Sequence, residues 1–101
     1  MITNKTNKTN LTELNKLEEY LREHGYRFER VDEEYADPYL ERHQLIVFDE
    51  DGICSWDAIC HRGSYGHAGG FIEVAGDIAH GHGVIGYLTA AEVIEMLEVT
   101  P

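Results

Sequence analysis

LIVFDEDGICSWDAIC, residues 45–60, holds two strand-like runs joined by Asp49-Glu50-Asp51-Gly52. A tight connection between antiparallel strands needs a residue that accepts positive φ, and Gly52 does so without a side-chain clash. The segment therefore reads as a β-hairpin. Along ICSWDAICH the side chains of a strand alternate across the sheet. Cys54, Trp56, Ala58 and Cys60 are expected on one face, and Ile53, Ser55, Asp57, Ile59 and His61 on the other. A face holding Trp and Ala is a core face, and unbridged cysteine is among the most buried residue types. Both thiols are thus expected to be buried, reduced and packed near Trp56.

Working outward, NLTELNKLEEYLREHG (10–25) places Leu14, Leu17 and Leu21 at spacings of 3 and 4, with Leu11 extending the stripe, the pattern of an amphipathic helix. Asn10 is expected to cap it, with Glu13 three residues on, and Gly25 ends it. YRFERV (26–31) alternates, Tyr26 and Phe28 against Arg27 and Glu29, as a half-exposed edge strand does. DEEYADPYLERH (32–43) is acidic and contains Pro38, so a loop with one helical turn is expected. FIEVAG (71–76) is a further strand between glycine-rich neighbours.

In GYLTAAEVIEML (86–97), Thr89 and Glu92 form a capping box and Leu88 can pack on Val93. Val93, Ile94 and Leu97 then form the apolar stripe of a final helix. The order helix, strand, hairpin, strand, helix gives an α+β fold: an antiparallel sheet of about four strands with an N-terminal and a C-terminal helix packed on one face. With 101 residues the chain has one core. Residues 1–9 read as a flexible polar tail and residues 10–101 as a single α+β domain.

The charge is unevenly distributed. The chain carries a formal net charge of −11, and no lysine or arginine follows Arg62. Such a surface repels phosphate backbones, because nucleic-acid binding relies on Lys and Arg to displace counterions. Direct nucleic-acid binding is not expected on this ground, and a protein partner with a basic surface is favoured. No run of about 18 apolar residues suggests a membrane span, and the amino terminus lacks the charged-then-apolar pattern of a secretory signal, so a cytoplasmic protein is expected. Two cysteines are too few for the disulfide framework of a small secreted domain.

CSWDAICHRGSYGHAGGF (54–71) concentrates the residues able to do chemistry. Zinc requires four convergent ligands; Cys60 and His61 point to opposite faces of a strand, and His67, His80 and His82 would have to meet on loops, so no metal or other cofactor is expected. A cysteine nucleophile needs a base within reach, and Cys60 faces the core while His61 does not. Ser64 lacks the Gly-x-Ser-x-Gly elbow. The Gly63, Gly66, Gly69 spacing leads into a strand, not the helix that a phosphate cradle needs. HRGSYGHAGG instead reads as an exposed hinged connection whose Arg62, Tyr65 and His67 are placed for contact, Tyr and Arg being enriched at binding hot spots.

WDAICHRGSYGHAGGFIEV (56–74) and GYLTAAEVIEML resemble segments of small acidic proteins from prophages and conjugative elements of Gram-positive bacteria, over about residues 45–97. That group has no assigned activity, so the resemblance implies a mobile-element setting and no catalytic residue. The expectation is a small acidic binding module, alone or as a homodimer. It would engage a basic protein through the acidic run Asp32, Glu33, Glu34, Asp37 and Glu41 and the loop bearing Arg62, Tyr65 and His67. An inhibitor or adaptor of the anti-restriction or anti-CRISPR type is one version. The competing class is a metal-dependent or cysteine hydrolase using His67, His80, His82 and Cys60 or Asp57.

Overall fold

A computed structural model of the chain describes residues 9–99, and the tail expected over residues 1–9 lies outside them except for Thr9. The described chain runs α1 (Thr12–Glu23), β1 (Arg27–Glu33), β2 (Arg42–Phe48), β3 (Cys54–Ile59), β4 (Ile72–Gly76), β5 (Val84–Leu88) and α2 (Ala90–Glu98). The strands form an antiparallel meander in the order β1-β2-β3-β4-β5. The hairpin forms as read: Leu45 lies opposite Ala58 and Val47 opposite Trp56, and Gly52 takes φ +80° in the turn.

Period-two alternation assigns one sheet face to the core. Leu45, Val47, Trp56, Ala58 and Val74 share it, and Leu14, Leu17 and Leu21 of α1 with Ala90 and Val93 of α2 close over them. Burying one such leucine fully is worth about 1.5–3 kcal/mol, so the leucine stripe ties α1 to the sheet. The opposite face carries half-buried Ile46 and Ile59 among polar pairs, including a 2.6 Å Gln44–Asp57 hydrogen bond. No described helix is long and apolar enough to cross a membrane.

The helix starts are built differently. The N-cap position of α1 falls to Leu11 and not to the expected Asn10, so there is no side-chain cap; Asn10, one residue earlier, accepts the Thr12 N–H on its carboxamide oxygen at 3.0 Å. Glu13 does not turn back to complete a box; its carboxylate crosses to accept the Ala90 N–H of α2 at 2.8 Å. At α2 the expected box is complete. The Thr89 hydroxyl accepts the Glu92 N–H at 3.2 Å, and the Glu92 carboxylate accepts the Thr89 N–H at 2.8 Å. At the far end of the helix pair the Tyr20 hydroxyl donates to Glu98 at 3.4 Å. The two helices therefore run in the same direction.

Three further expectations are corrected. The sheet has five described strands and not about four: VIGYL, a short apolar run preceded by Gly83 and interrupted by Gly86, forms β5, stabilised by pairing with β4 more than by its own propensity. Asp32 and Glu33 belong to β1 and not to the acidic loop, because β2 offers them His43 and Arg42 as register partners. Cys54 is exposed. The register shifts at Val47/Phe48, where Phe48 pairs with Cys54, so β3 carries one extra residue and the alternation that buries Trp56, Ala58 and Cys60 breaks before Cys54.

Both cysteines are free. Burial, followed by the nearby Asp57 and Asp77, raises the Cys54 thiol, while burial and Glu41 push Cys60 up to about 11. Thiol labelling of the native protein is expected to modify one cysteine per chain, Cys54, and to reach Cys60 only on denaturation; two equally fast thiols would contradict this packing. Thr89→Ala is expected to lower stability by roughly 0.5–2 kcal/mol through loss of the cap, measured as a shift in the urea midpoint.

Candidate functional site

In an antiparallel meander, alternate connections fall at opposite ends of the sheet. The β1–β2 connection (34–41) and the β3–β4 connection (60–71) therefore share an end, as do the 49–53 turn and the 77–83 segment at the other. The acidic loop and the glycine-hinged loop are thus neighbours, although more than twenty residues separate their centres in sequence.

Glu41 joins them. Its side chain is 9% exposed. The carboxylate accepts the Arg62 backbone N–H at 2.9 Å and the Thr9 hydroxyl. It lies 3.6 Å from His43 Nε2 and 3.8 Å from His67 Nε2, and Thr9 Oγ1 is 3.0 Å from the same His67 nitrogen. His43 is buried, with Nδ1 2.8 Å from Asp32. Its backbone N–H donates to His61 Nδ1 at 3.1 Å. The Ser64 hydroxyl closes the next turn, donating to the His61 carbonyl at 2.7 Å and accepting the His61 N–H at 3.1 Å.

Outside this polar lock the side chains face solvent. Tyr35, Tyr39 and Leu40 are 54%, 76% and 60% exposed. The Arg62 guanidinium lies 5.5 Å from the Tyr39 ring centroid, so the two loops also meet at the surface by a cation–π contact. Asp37 shapes the 3₁₀ turn Pro38–Leu40: its carboxylate accepts the Tyr39 N–H at 3.0 Å and its carbonyl accepts the Leu40 N–H at 3.0 Å. Tyr65 is exposed on the β5 side, with its ring centroid 6.5 Å from that of Tyr87. Gly66 permits this approach. A Cβ there would lie 2.7 Å from Phe71 Cβ and 3.0 Å from the Tyr87 backbone, at φ +93°.

Of the expected contact residues, Arg62, His67, Glu34, Asp37 and Glu41 come together at this end. Tyr65 sits on its β5 flank. Asp32 is turned toward Arg30 and His43. Glu33 lies on the opposite sheet face, 3.8 Å from Arg42. The five acids therefore do not form one exposed patch: strand alternation separates Asp32 from Glu33, and Glu41 is nearly enclosed. The hydrolase residues are also dispersed. His67 lies at one end of β4 and His80 and His82 follow the other, while buried Cys60 has its sulfur 3.5 Å from the Asn10 carbonyl. Among the described residues, no three His, Cys, Asp or Glu side chains form a group that could hold a metal ion.

Compared with known protein families, curated proteins and solved structures, the chain matches none.

Reading the residues alone missed His43, Thr9, Tyr35, Tyr39 and Leu40. The alternation of His43 with Leu45 and Val47 was the available signal for the histidine, since it continues the core face. Apolar residues stranded in an acidic turn were the signal for the tyrosines.

Burial opposes ionisation of Glu41, but hydrogen bonds from Thr9 and the Arg62 N–H, with the charge of His43 and His67, outweigh it and hold the carboxyl below its ordinary 4.5. Burial of Asp32 is likewise outweighed by His43 and Arg30, which hold it below 3.8. A carboxylate depressed in the folded state contributes stability in full above its unfolded value and loses it as pH falls through the folded value. The unfolding free energy is therefore expected to decline as pH drops below about 4.5. Glu41→Gln is expected to be less stable at neutral pH by roughly 1.5–3 kcal/mol, the range for hydrogen bonds to a charged group. Its pH dependence between about 3 and 5 should be shallower in urea titrations.

Proposed function

We propose that the protein is a cytoplasmic protein-binding module that engages a partner through the sheet end built by residues 34–41 and 60–71. The observation that carries this reading is the fastening of the two loops by Glu41 and by the Arg62–Tyr39 contact, which leaves Tyr35, Tyr39 and Leu40 exposed on a braced surface. Exposed apolar and aromatic side chains on ordered loops cost solvation, and Tyr and Arg dominate the energetics of many interfaces. A loop braced before contact loses little conformational entropy on binding. Glu34, 69% exposed, and Asp37 rim the surface with negative charge, which favours a basic partner and disfavours nucleic acid.

The resemblance to proteins of prophages and conjugative elements fits the same reading. A small acidic module of a mobile element that covers a basic, nucleic-acid-handling surface of another protein acts as an inhibitor or adaptor, of the anti-restriction or anti-CRISPR type in one version. It does so alone or as a homodimer.

The test compares wild type, Tyr39→Ala and Glu34→Lys as immobilised baits, followed by kinetics on the purified partner. Tyr39→Ala is expected to weaken binding by about tenfold or more, mainly through faster dissociation. Glu34→Lys is expected to slow association, with the difference shrinking as salt rises, as rim charges do. A partner held equally by all three proteins would move the interface elsewhere.

A further inference from the structure

The opposite end of the sheet holds a cleft that the binding module does not use. Its volume is about 260 Å³, and Tyr26, Trp56 and Leu97 contribute its walls while Ser55, Asp77 and His80 stand at its polar side. Typical small-molecule pockets span about 300–1,000 Å³, so this one suits a ligand the size of one ring with a short arm.

The backbone is shaped around it. Gly76 adopts φ +99°, and a Cβ there would lie 2.6 Å from the Ser55 carbonyl oxygen and 2.7 Å from Trp56 Cα. Only glycine lets the end of β4 pass this close to β3 before the 3₁₀ turn Asp77–Ala79. His80 follows in the left-handed region, at φ 51° and ψ 43°. A non-glycine residue held there carries strain that the surrounding structure must sustain.

The electrostatics of the cleft are one-sided. The Asp77 carboxylate accepts the Ser55 hydroxyl at 2.9 Å, and among the described residues no cationic side chain pairs with it. Ser55 donates to the aspartate and not to a histidine, so this is not a nucleophile with its base. The negative potential also reaches Cys54, whose thiol is raised by burial, Asp57 and Asp77. Aromatic ring faces carry negative electrostatic potential and attract cations. A carboxylate beside apolar and aromatic walls therefore favours an ammonium group over a hydroxyl and disfavours an anion.

We propose that this cleft binds a small organic ammonium ion, its apolar body against Tyr26, Trp56 and Leu97 and its charged nitrogen on the Asp77 carboxylate. Trp56 is the only tryptophan of the chain, so its emission reports on the cleft directly. The probes are phenethylammonium, neutral 2-phenylethanol and anionic phenylacetate, added to the full chain. Phenethylammonium is expected to give a saturable change in Trp56 emission, with 2-phenylethanol about tenfold weaker, the ratio set by a charge-assisted hydrogen bond. Phenylacetate is expected to give none. Asp77→Asn should bring the ammonium down to the level of the alcohol and leave the alcohol unchanged. Equal binding of ammonium and alcohol by wild type, or no saturable response to either, overturns the proposal, and that comparison does not depend on the variant folding.

Discussion

The antiparallel meander constrains everything else in the molecule. Each strand returns beside the one before it, so side chains two apart in sequence share a face and connections two apart share an end. The first rule gathers Leu45, Val47, Trp56, Ala58 and Val74 into the surface that the leucines of α1 cover. The second gathers residues 34–41 and 60–71 at one end and the cleft beside Asp77 at the other. Neither grouping requires residues to be close in sequence. The molecule consequently has two different poles on one scaffold, exposed tyrosines over a buried polar lock at one, and a small cleft beside the Asp77 carboxylate at the other.

Glu41 shows how a nearly enclosed charge becomes an organising element. Desolvation alone would favour its neutral form, yet a backbone N–H, a hydroxyl and two imidazoles surround it. The four groups it collects come from three parts of the chain: Thr9 ahead of α1, His43 on β2, and Arg62 and His67 in the β3–β4 connection. Removing one partner from such a network leaves the others without theirs, so the network resists piecemeal loosening. The loops therefore present Tyr39 and Arg62 from a fixed base.

Much of this was legible in the sequence where local chemistry and the overall architecture agree. The Asp-Glu-Asp-Gly turn, the leucine stripe and the Thr89–Glu92 box each carry a short-range cause, and each stands where the residues implied. What was not legible depends on partners distant in the chain. Strand β5 is short and interrupted by Gly86, and its register partners on β4, not its propensity, make it a strand. Cys54 shares the parity of Trp56, and only the bulge opposite Phe48 removes it from the core face. Glu13 has the spacing of a capping residue for its own helix, but α2 lies close enough to take its carboxylate. The acidic run was visible as composition, whereas its division between two sheet faces and a buried lock follows from where β1 stops. The Tyr39–Arg62 contact joins two connections that no spacing rule links.

The outer border of β5 has a consequence for the protein in concentrated solution. A sheet ending in a straight, unpaired strand invites another chain to add to it, which is the first step toward fibrils. Here β5 carries an extra residue relative to β4, Tyr87 takes φ 61°, and its N–H donates to the Tyr65 carbonyl at 3.4 Å. The hydrogen-bonding row is thus bent and partly occupied before a second molecule could use it. At the other border, β1 sets Arg27, Glu29 and Glu33 around the single apolar Val31 on its outward face, so an identical strand laid against it would meet like charges at some registers and gain little apolar contact there. With both borders guarded, the sheet is a terminated object: it can offer its ends to partners while its sides resist polymerisation.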